Sequence, residues 1–456
     1  MNCKVNCHPH RKKKRENEMS KCMNNRELIE IENNTLYFDG CDVTALAREY
    51  GTPVYVMSQT DIESRFQELN QDFVEKYPGN RVAYAAKAFC AVGMLQIVEK
   101  CGAAIDIVSG GELYVAKQAG FPAERIEFNG NNKQPEEIDA AVEYGVGRII
   151  LDGLQEVPLI EAACQKYQKK MKIMIRITPG VAASTHDYIV TGKKDSKFGI
   201  PLEESVFLPV VESIVNSKWL ELYGLHMHIG SQLFENKPYV DALDALMDWA
   251  AIIKDKFGVA IREVNFGGGF GVTYTDEVRK PYAFFTEPLM EELEKRSAEI
   301  GIPRPAAVVE PGRSIVAEAG MTLYKVGQIK DIPGVRKYVS IDGGMGDNIR
   351  VALYQAKYDA IVANRAEEEC DDKVTVCGKY CESGDILLRD YMLPSTVQSG
   401  DIIAMLSTGA YGYSMAMNYN LNTKPGVVLI KEGKAQWMVK PETYADMCKG
   451  MVQVEL

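Results

Sequence analysis

Short apolar runs alternate with amphipathic stretches through the middle of the chain. Eight of the runs read as strands: Arg81–Ala86, Ala103–Val108, Arg125–Phe128, Arg148–Leu151, Lys172–Ile177, Leu222–Met227, Glu263–Phe266 and Ala307–Val309. Each is a near-continuous apolar segment, as expected of a strand covered on both faces of a parallel sheet. Each then gives way to a polar or glycine-rich end and a stretch of helical period. Repetition of this unit eight times predicts an α/β fold, a (β/α)8 TIM-type barrel. A doubly wound open sheet shares the alternation and is the rival.

The flanks have another texture. Thr35–Phe38 and Pro53–Val56 are short β-type runs separated by Gly and Asp, and helical periodicity runs from about Gln59 to Lys76. Beyond Gly320, the runs Thr322–Gln328, Val335–Ile341, Lys373–Cys377, Asp401–Leu406 and Gly426–Lys431 are punctuated by turn residues, which predicts a mostly antiparallel β domain. A closed barrel would leave the early strands unpaired, so they are expected to join that domain. The expected organisation is a basic tail at 1–24, N-terminal strands at 25–58, the barrel at 59–319 and the C-terminal β domain at 320–456. Acidic Asn364–Asp372 reads as a solvated loop.

Composition narrows the field. A chain of 456 residues exceeds what one core usually spans. A formal charge of -11 speaks against a nucleic-acid-binding surface, and no apolar run is long enough to cross a bilayer. The first two dozen residues hold Cys3, Cys7, His8, His10 and Cys22 beside the run Arg11–Arg15. No apolar segment follows as in a secretory signal, and the spacing matches no zinc pattern, so no metal is expected. A disordered tail, or a true start at Met19 or Met23, is the plain reading. The 11 cysteines form no regular framework, which suits reduced thiols in the cytoplasm.

A barrel carries its chemistry at the carboxyl ends of its strands. Lys87, Asp106, Asn129, Asp152, Arg176, His228, Gly267-Gly268-Gly269 and Glu310 all fall there. Lys87 ends the apolar run Val82–Phe89 and reads as a buried lysine able to lose its proton and attack an aldehyde. A lysine that merely reaches water from a strand end is the alternative. The glycine run and Glu310-Pro311-Gly312-Arg313-Ser314 occupy loops seven and eight, where barrels often hold a phosphate. Glu310 could hold a pyridinium nitrogen protonated. His228 could stack on a flat ring, or be an ordinary core histidine. A lysine, a carboxylate for a ring nitrogen and a phosphate cradle are what pyridoxal 5′-phosphate requires.

Several motifs then carry a resemblance. Tyr84-Ala85-Ala86-Lys87, Asn129–Lys133, Thr191-Gly192 with Ser196–Gly199, His228–Gln232, Gly267–Gly271, Glu310–Arg313, Cys381–Asp385, Gly409–Gly412 and Asn418–Asn420 resemble the pyridoxal-phosphate-dependent decarboxylases of the alanine-racemase-like fold, a family acting on ornithine, diaminopimelate and arginine. The likeness runs from about residue 27 onward. It implies that Lys87 bonds the cofactor, His228 stacks on it and Glu310 pairs with its nitrogen. Asp106 and Arg176 would be nearby partners. Ser231, Gly269 and the turn Glu310, Pro311, Gly312, Arg313 would hold the phosphate, and Tyr411 would touch cofactor and substrate. Cys381 would return a proton to the carbanion from a loop that reaches the other subunit of a homodimer with shared sites.

The implied reaction is decarboxylation of meso-2,6-diaminopimelate to L-lysine and CO2. That small-molecule amino-acid substrate carries a second zwitterionic end. Guanidinium groups suit its carboxylate, so Arg313 and Arg350 with Tyr354 are the candidates, and Glu382 suits its ammonium. In the ornithine branch of the family the residue after the matching cysteine is typically aspartate, so Glu382 favours diaminopimelate. Val351 departs from the family pattern, which has proline after the arginine; valine would loosen the turn. The alternatives are a related decarboxylase acting on another basic amino acid or carboxynorspermidine, a racemase, and a silent homologue, though Lys87 and Cys381 are both retained.

Overall fold

The computed structural model describes residues 27–180 and 196–456. The expected tail and the Thr191-Gly192 motif lie outside them. The chain divides into two compact units, one of Ile62–Gly271 with Lys280–Val316, the other of the residues up to Asp61 with Val272–Arg279 and Ala317–Leu456.

The first unit is the barrel. Its strands are β1 (Arg81–Ala85), β2 (Ala104–Ile107), β3 (Ile126–Phe128), β4 (Arg148–Leu151), β5 (Met171–Thr178), β6 (Leu220–His226), β7 (Glu263–Asn265) and β8 (Ala306–Val309). All eight sequence-predicted strands form, with ends shifted by one or two residues. Each pairs in parallel with the next, and β8 pairs back to β1 through Val308–Arg81, which closes the ring. The open-sheet rival is excluded by that closure. A two-residue strand, Ile200–Pro201, extends β5 on its outer side.

Local signals start and stop the outer helices. Ser109 accepts the Glu112 N–H at 3.2 Å to open Gly110–Gln118, and Gln134 with Glu137 forms a capping box before Pro135–Tyr144. Gly145, Gly258 and Gly301 end helices in the left-handed region. The predicted helix after Gln59 runs to Leu69 and continues as a π-turn over Asn70–Glu75.

In the second unit, Ile29–Glu32, Thr35–Phe38 and Cys41–Asp42 form a small antiparallel sheet of their own. Val54–Ser58 instead lies inside the large sheet, antiparallel to Gly320–Ile332 and parallel to Gly426–Lys431. Most pairings of that sheet are antiparallel; Arg336–Ile341 with Asp372–Cys377 is a second parallel one. One core joins the two sheets, with Leu36, Phe38 and Val43 packed among Val54, Met321, Leu323, Ala404 and Ile430. Three strands of the large sheet escape the sequence reading: Ala360–Val362, Ile386–Leu393 and Lys434–Val439. The stretch Asn364–Asp372 is less solvated than its charge suggests. Arg365 Nε donates to Asp401 at 2.6 Å, Asn364 donates to the same carboxylate at 2.8 Å, and Ala366 is buried.

Candidate active site

Lys87 corrects the first expectation. β1 ends at Ala85, and Ala86–Ala88 forms a single 3-10 turn. Ala86, Ala88 and Phe89 are buried, but Lys87 is exposed at the carboxyl mouth of the barrel. The turn rotates the Lys87 side chain outward from an apolar segment, so the side chain is not buried there. Three carboxyl groups feel its charge, Asp106, Glu112 and Glu310. Asp106, on β2, is almost wholly buried and its Oδ1 has no hydrogen-bond partner. Burial and the Glu310 charge push Asp106 well above the usual carboxylate range, against the pull of Lys87. Burial also raises Glu112, which accepts the Val108 N–H at 2.6 Å, again opposed by Lys87.

Glu310, just past β8, has the opposite character. It is buried, and burial alone would raise it. His226 Nε2 lies 3.0 and 3.1 Å from its two oxygens and Asn265 Nδ2 donates to it at 2.7 Å. The His226 contact, with the charge of Lys87, outweighs burial and holds the carboxyl at about 2. It is an anion at any physiological pH. The Nε2 proton of His226 is assigned by its neighbours: Asn129 Oδ1 accepts from Arg176 at 3.3 Å and from Gly130 N–H at 3.0 Å, which turns the Asn129 amide nitrogen toward His226 and leaves Glu310 as the acceptor.

Beneath Glu310 lies a polar layer that the strand-tip reading missed. Asn265, on β7, also donates to Glu127 Oε2 at 2.9 Å, and its own oxygen accepts the Gly267 N–H at 2.8 Å. Glu127 and Glu263 share Arg81 and Arg148: Arg81 contacts Glu127 and donates to Glu263 at 2.8 Å, and Arg148 donates to Glu263 at 3.0 Å. The available signal was the polar residues set among apolar ones in these strands: Glu127 in Ile126–Phe128, Arg148 in Arg148–Leu151, and Glu263 and Asn265 on either side of Val264.

His228 is half-buried. Burial first, then the positive charges of Lys87 and Arg176, push it well below its ordinary value, so the ring is neutral. Its Nδ1 accepts the Gly268 N–H at 3.2 Å. Gly268 is obligatory, because a Cβ there would lie 2.0 Å from the Glu310 carbonyl oxygen. Gly269 has φ +106, and a Cβ would fall 2.3 Å from the Gly230 oxygen. Ser231 Oγ accepts from Arg313 Nε at 3.2 Å and Nη2 at 3.0 Å. Pro311 O accepts the Ala85 N–H at 3.1 Å, tying loop eight to the lysine turn. Arg176 stacks over Phe198, 4.5 Å from the ring centre, and lies 3.9 Å from Asp152. Asp152 in turn accepts the Gly199 N–H at 2.7 Å.

The remaining candidates belong to the β unit. Arg350 is buried and donates to the hydroxyls of Tyr274 at 2.9 Å and Tyr358 at 2.7 Å. The rings of Tyr274, Tyr354, Tyr358 and Tyr411 all lie within 6 Å of its guanidinium: 5.3, 5.9, 5.9 and 5.7 Å. Val351 sits in the first turn of the short helix Arg350–Tyr354. The guanidinium itself is held by the hydroxyls of Tyr274 and Tyr358. Cys381 and Glu382 are exposed on the loop between Asp372–Cys377 and Ile386–Leu393. Cys381 N–H donates to Asn420 Oδ1 at 2.8 Å, and Glu382 Oε1 accepts the Gly384 N–H at 3.3 Å. Among the described residues no group of His, Cys, Asp and Glu could hold a metal.

A closed barrel whose rim joins an accessible lysine, a buried anion and a glycine-lined turn defines a class. Residues 59–317 match the family described as pyridoxal-dependent decarboxylase, pyridoxal binding domain, and the chain belongs to that family. Within it, the relatives are diaminopimelate decarboxylases. The protein of that name from Bacillus subtilis is 45% identical over 415 residues, covering 91% of this chain and 94% of its own. The structure of diaminopimelate decarboxylase from M. jannaschii in complex with L-lysine aligns with a TM-score of 0.88 at 34% identity, covering 94% of this chain and 99% of that one. The Helicobacter pylori enzyme, also with L-lysine, aligns at 0.82 and 31%, covering 90% and 98%.

Proposed function

We infer that this chain decarboxylates meso-2,6-diaminopimelate to L-lysine and CO2, the last step of lysine biosynthesis, with pyridoxal 5′-phosphate as cofactor. The observation that carries the reading is the rim of the barrel, where Lys87 shares one mouth with an ionised Glu310 and a neutral His228. These residues fit the cofactor. Asp106 keeps a buried oxygen with no partner, and the Gly267–Gly269 turn has no room for a side chain at Gly268.

When bound, pyridoxal phosphate supplies an aldehyde for an amine and an electron sink for the carbanion left by CO2 loss. Lys87 offers the amine that holds the cofactor between turnovers. Glu310 keeps the proton on the ring nitrogen, because its carboxyl is far too acidic to take that proton itself. His228 offers an uncharged flat face, with Arg176 and Asp106 as partners near the lysine and ring. Ser231, Gly269, Pro311, Gly312 and Arg313 bind the phosphate. Cys381 returns a proton to the α-carbon. Arg313 and Arg350 with Tyr354 take the distal carboxylate, Glu382 takes the distal ammonium, and Tyr411 contacts cofactor and substrate.

The assembly is a homodimer in which the Cys381 loop serves the site of a second copy. The compartment is the cytoplasm; the described cysteines are all free thiols, which suits a reducing environment. No helix among the described residues is long and apolar enough to cross a membrane.

The test is CO2 release from meso-diaminopimelate, with and without added pyridoxal phosphate, beside lysine, ornithine and carboxynorspermidine. A substrate lacking the distal carboxylate leaves a buried arginine unmatched, which costs roughly 10⁴-fold where a polar group goes unpaired. Preference for lysine or ornithine overturns the substrate assignment. An inverted amino acid formed without CO2 makes the protein a racemase.

A further inference from the structure

Asp385 is buried to 3% exposure although the four residues before it, Cys381 to Gly384, are all exposed. Its carboxylate is held by backbone alone. Oδ1 accepts the Met345 N–H at 2.6 Å and Oδ2 accepts the Tyr380 N–H at 2.9 Å. Among the described residues no lysine or arginine pairs with it. A buried carboxylate without a cation is costly, so the loop gains something by keeping it.

The surroundings are cut to admit it. A Cβ on Gly344 would lie 2.5 Å from Oδ1, and one on Gly378 would lie 2.2 Å from Oδ2. A Cβ on Gly346 would fall 2.1 Å from the Tyr380 hydroxyl. Two segments are thereby clasped: Gly343–Asp347 and Gly378–Asp385. Further bonds lock them, from Lys379 N–H to Gly343 O at 3.0 Å and from Gly378 N–H to Asp385 O at 3.0 Å. Tyr380 donates to Asp347 Oδ1 at 3.4 Å and stacks on Tyr419, with ring centres 6.2 Å apart. The outcome is a short exposed arch, pinned at both feet, that carries Cys381 and Glu382.

We propose that Asp385 is the positioning residue of this arch: its carboxylate, clasped by the Met345 and Tyr380 amides, fixes where Cys381 and Glu382 are presented to substrate. The inference rests on the roles given above to those two residues. The sequence runs Cys381-Glu382-Ser383-Gly384-Asp385, so proton donor, ammonium-binding carboxylate and anchor travel as one unit.

Asp385→Asn keeps the size and replaces one accepting oxygen with an NH2 that meets an N–H. In the full-length holoenzyme, amide exchange over 378–386 and 343–347 should quicken at least tenfold, while 263–269 in the barrel is unchanged. Cofactor affinity, read by absorbance titration, should stay within twofold, and kcat/KM for diaminopimelate should fall at least tenfold. Gly378→Ala pushes on the same carboxylate from the other side and should loosen the same peptides. Gly384→Ala lies in the same arch, where a Cβ meets nothing nearer than 4.0 Å, and should exchange as wild type. Unchanged exchange in Asp385→Asn or Gly378→Ala overturns the clasp, and faster exchange with wild-type kcat/KM overturns its positioning role. Cys381→Ala and Glu382→Gln, measured in parallel, report on the roles themselves: if both keep wild-type rates, those roles fail whatever the exchange data say.

Discussion

Asn265→Leu removes the amide at the centre of the barrel and leaves a side chain of similar volume. Asn265 is fully buried, and its three hydrogen bonds go to Glu310, Glu127 and the Gly267 N–H. A bond to an ionised carboxylate contributes about 1.5–3 kcal/mol, so the two together represent about 3–6 kcal/mol. The Gly267 N–H, left without an acceptor, costs about 1–3 kcal/mol more. Glu310 keeps His226 and Glu127 keeps Arg81, which limits the damage. The expected loss is therefore in the lower half of the combined range, about 4–6 kcal/mol, a large share of the roughly 5–15 kcal/mol that holds a domain together. The chain has two compact units, so a single melting curve is a poor measure, and native-state exchange of barrel amides in the apoprotein is the assay. The same substitution made in a Glu310→Gln background should cost about 1–2 kcal/mol less, because a neutral acceptor binds the amide by only about 0.5–1.5 kcal/mol. A loss below about 1 kcal/mol, or equal losses in both backgrounds, would refute the claim that Asn265 holds an ionised Glu310.

Four further outcomes are expected. Glu310→Gln should slow CO2 release roughly 10²-fold or more, the scale of one lost electrostatic group, while cofactor affinity changes far less; equal turnover would remove Glu310 from the ring nitrogen. Arg350→Lys keeps the charge but loses the planar fork, so kcat/KM for diaminopimelate should fall roughly 10²-fold with lysine and ornithine unaffected on a substrate panel. Mixing Lys87→Ala with Cys381→Ala protomers should restore part of the activity neither has alone, and no recovery would count against sites shared between copies. Burial pushes Asp347 up to about 7, far above the unfolded carboxyl near 3.9, so its contribution to stability is fully present below about pH 4 and is lost as pH rises to about 7. Denaturation of Asp347→Asn should lack that slope, worth on the order of 4 kcal/mol over the interval.

The barrel was legible because a parallel strand covered on both faces must be apolar throughout, and Ile149-Ile150-Leu151 or Val308-Val309 have no other use for such a run. The strands that escaped notice lack that pressure. Ala360–Val362 has three residues, Ile386–Leu393 carries Arg389 and Asp390 mid-strand, and Lys434–Val439 is never fully buried. Of the tyrosines around Arg350, Tyr354 and Tyr411 were named from the sequence, whereas Tyr274 and Tyr358 carry no motif and only folding brings Tyr274 to the guanidinium.

The candidate site divides the same way. Residues expected to touch a ligand lie at strand tips, where the barrel's own repeat points to them. The residues that hold those in place lie one layer down, in strands too short to show a period: Glu127 between Ile126 and Phe128, Asn265 across Val264 from Glu263, His226 after Leu225. Only closure of the ring sets these side chains beneath and beside Glu310. Lys87 failed in the other direction: its neighbours are buried, and one 3-10 turn makes it the exception. It follows that motif retention is a weak guide to competence in such a barrel. A chain keeping Lys87, His228 and Glu310 but losing Asn265 and His226 would read as intact, yet its Glu310 would be a buried carboxyl without donors, raised by desolvation and no longer able to leave a proton on the ring it serves.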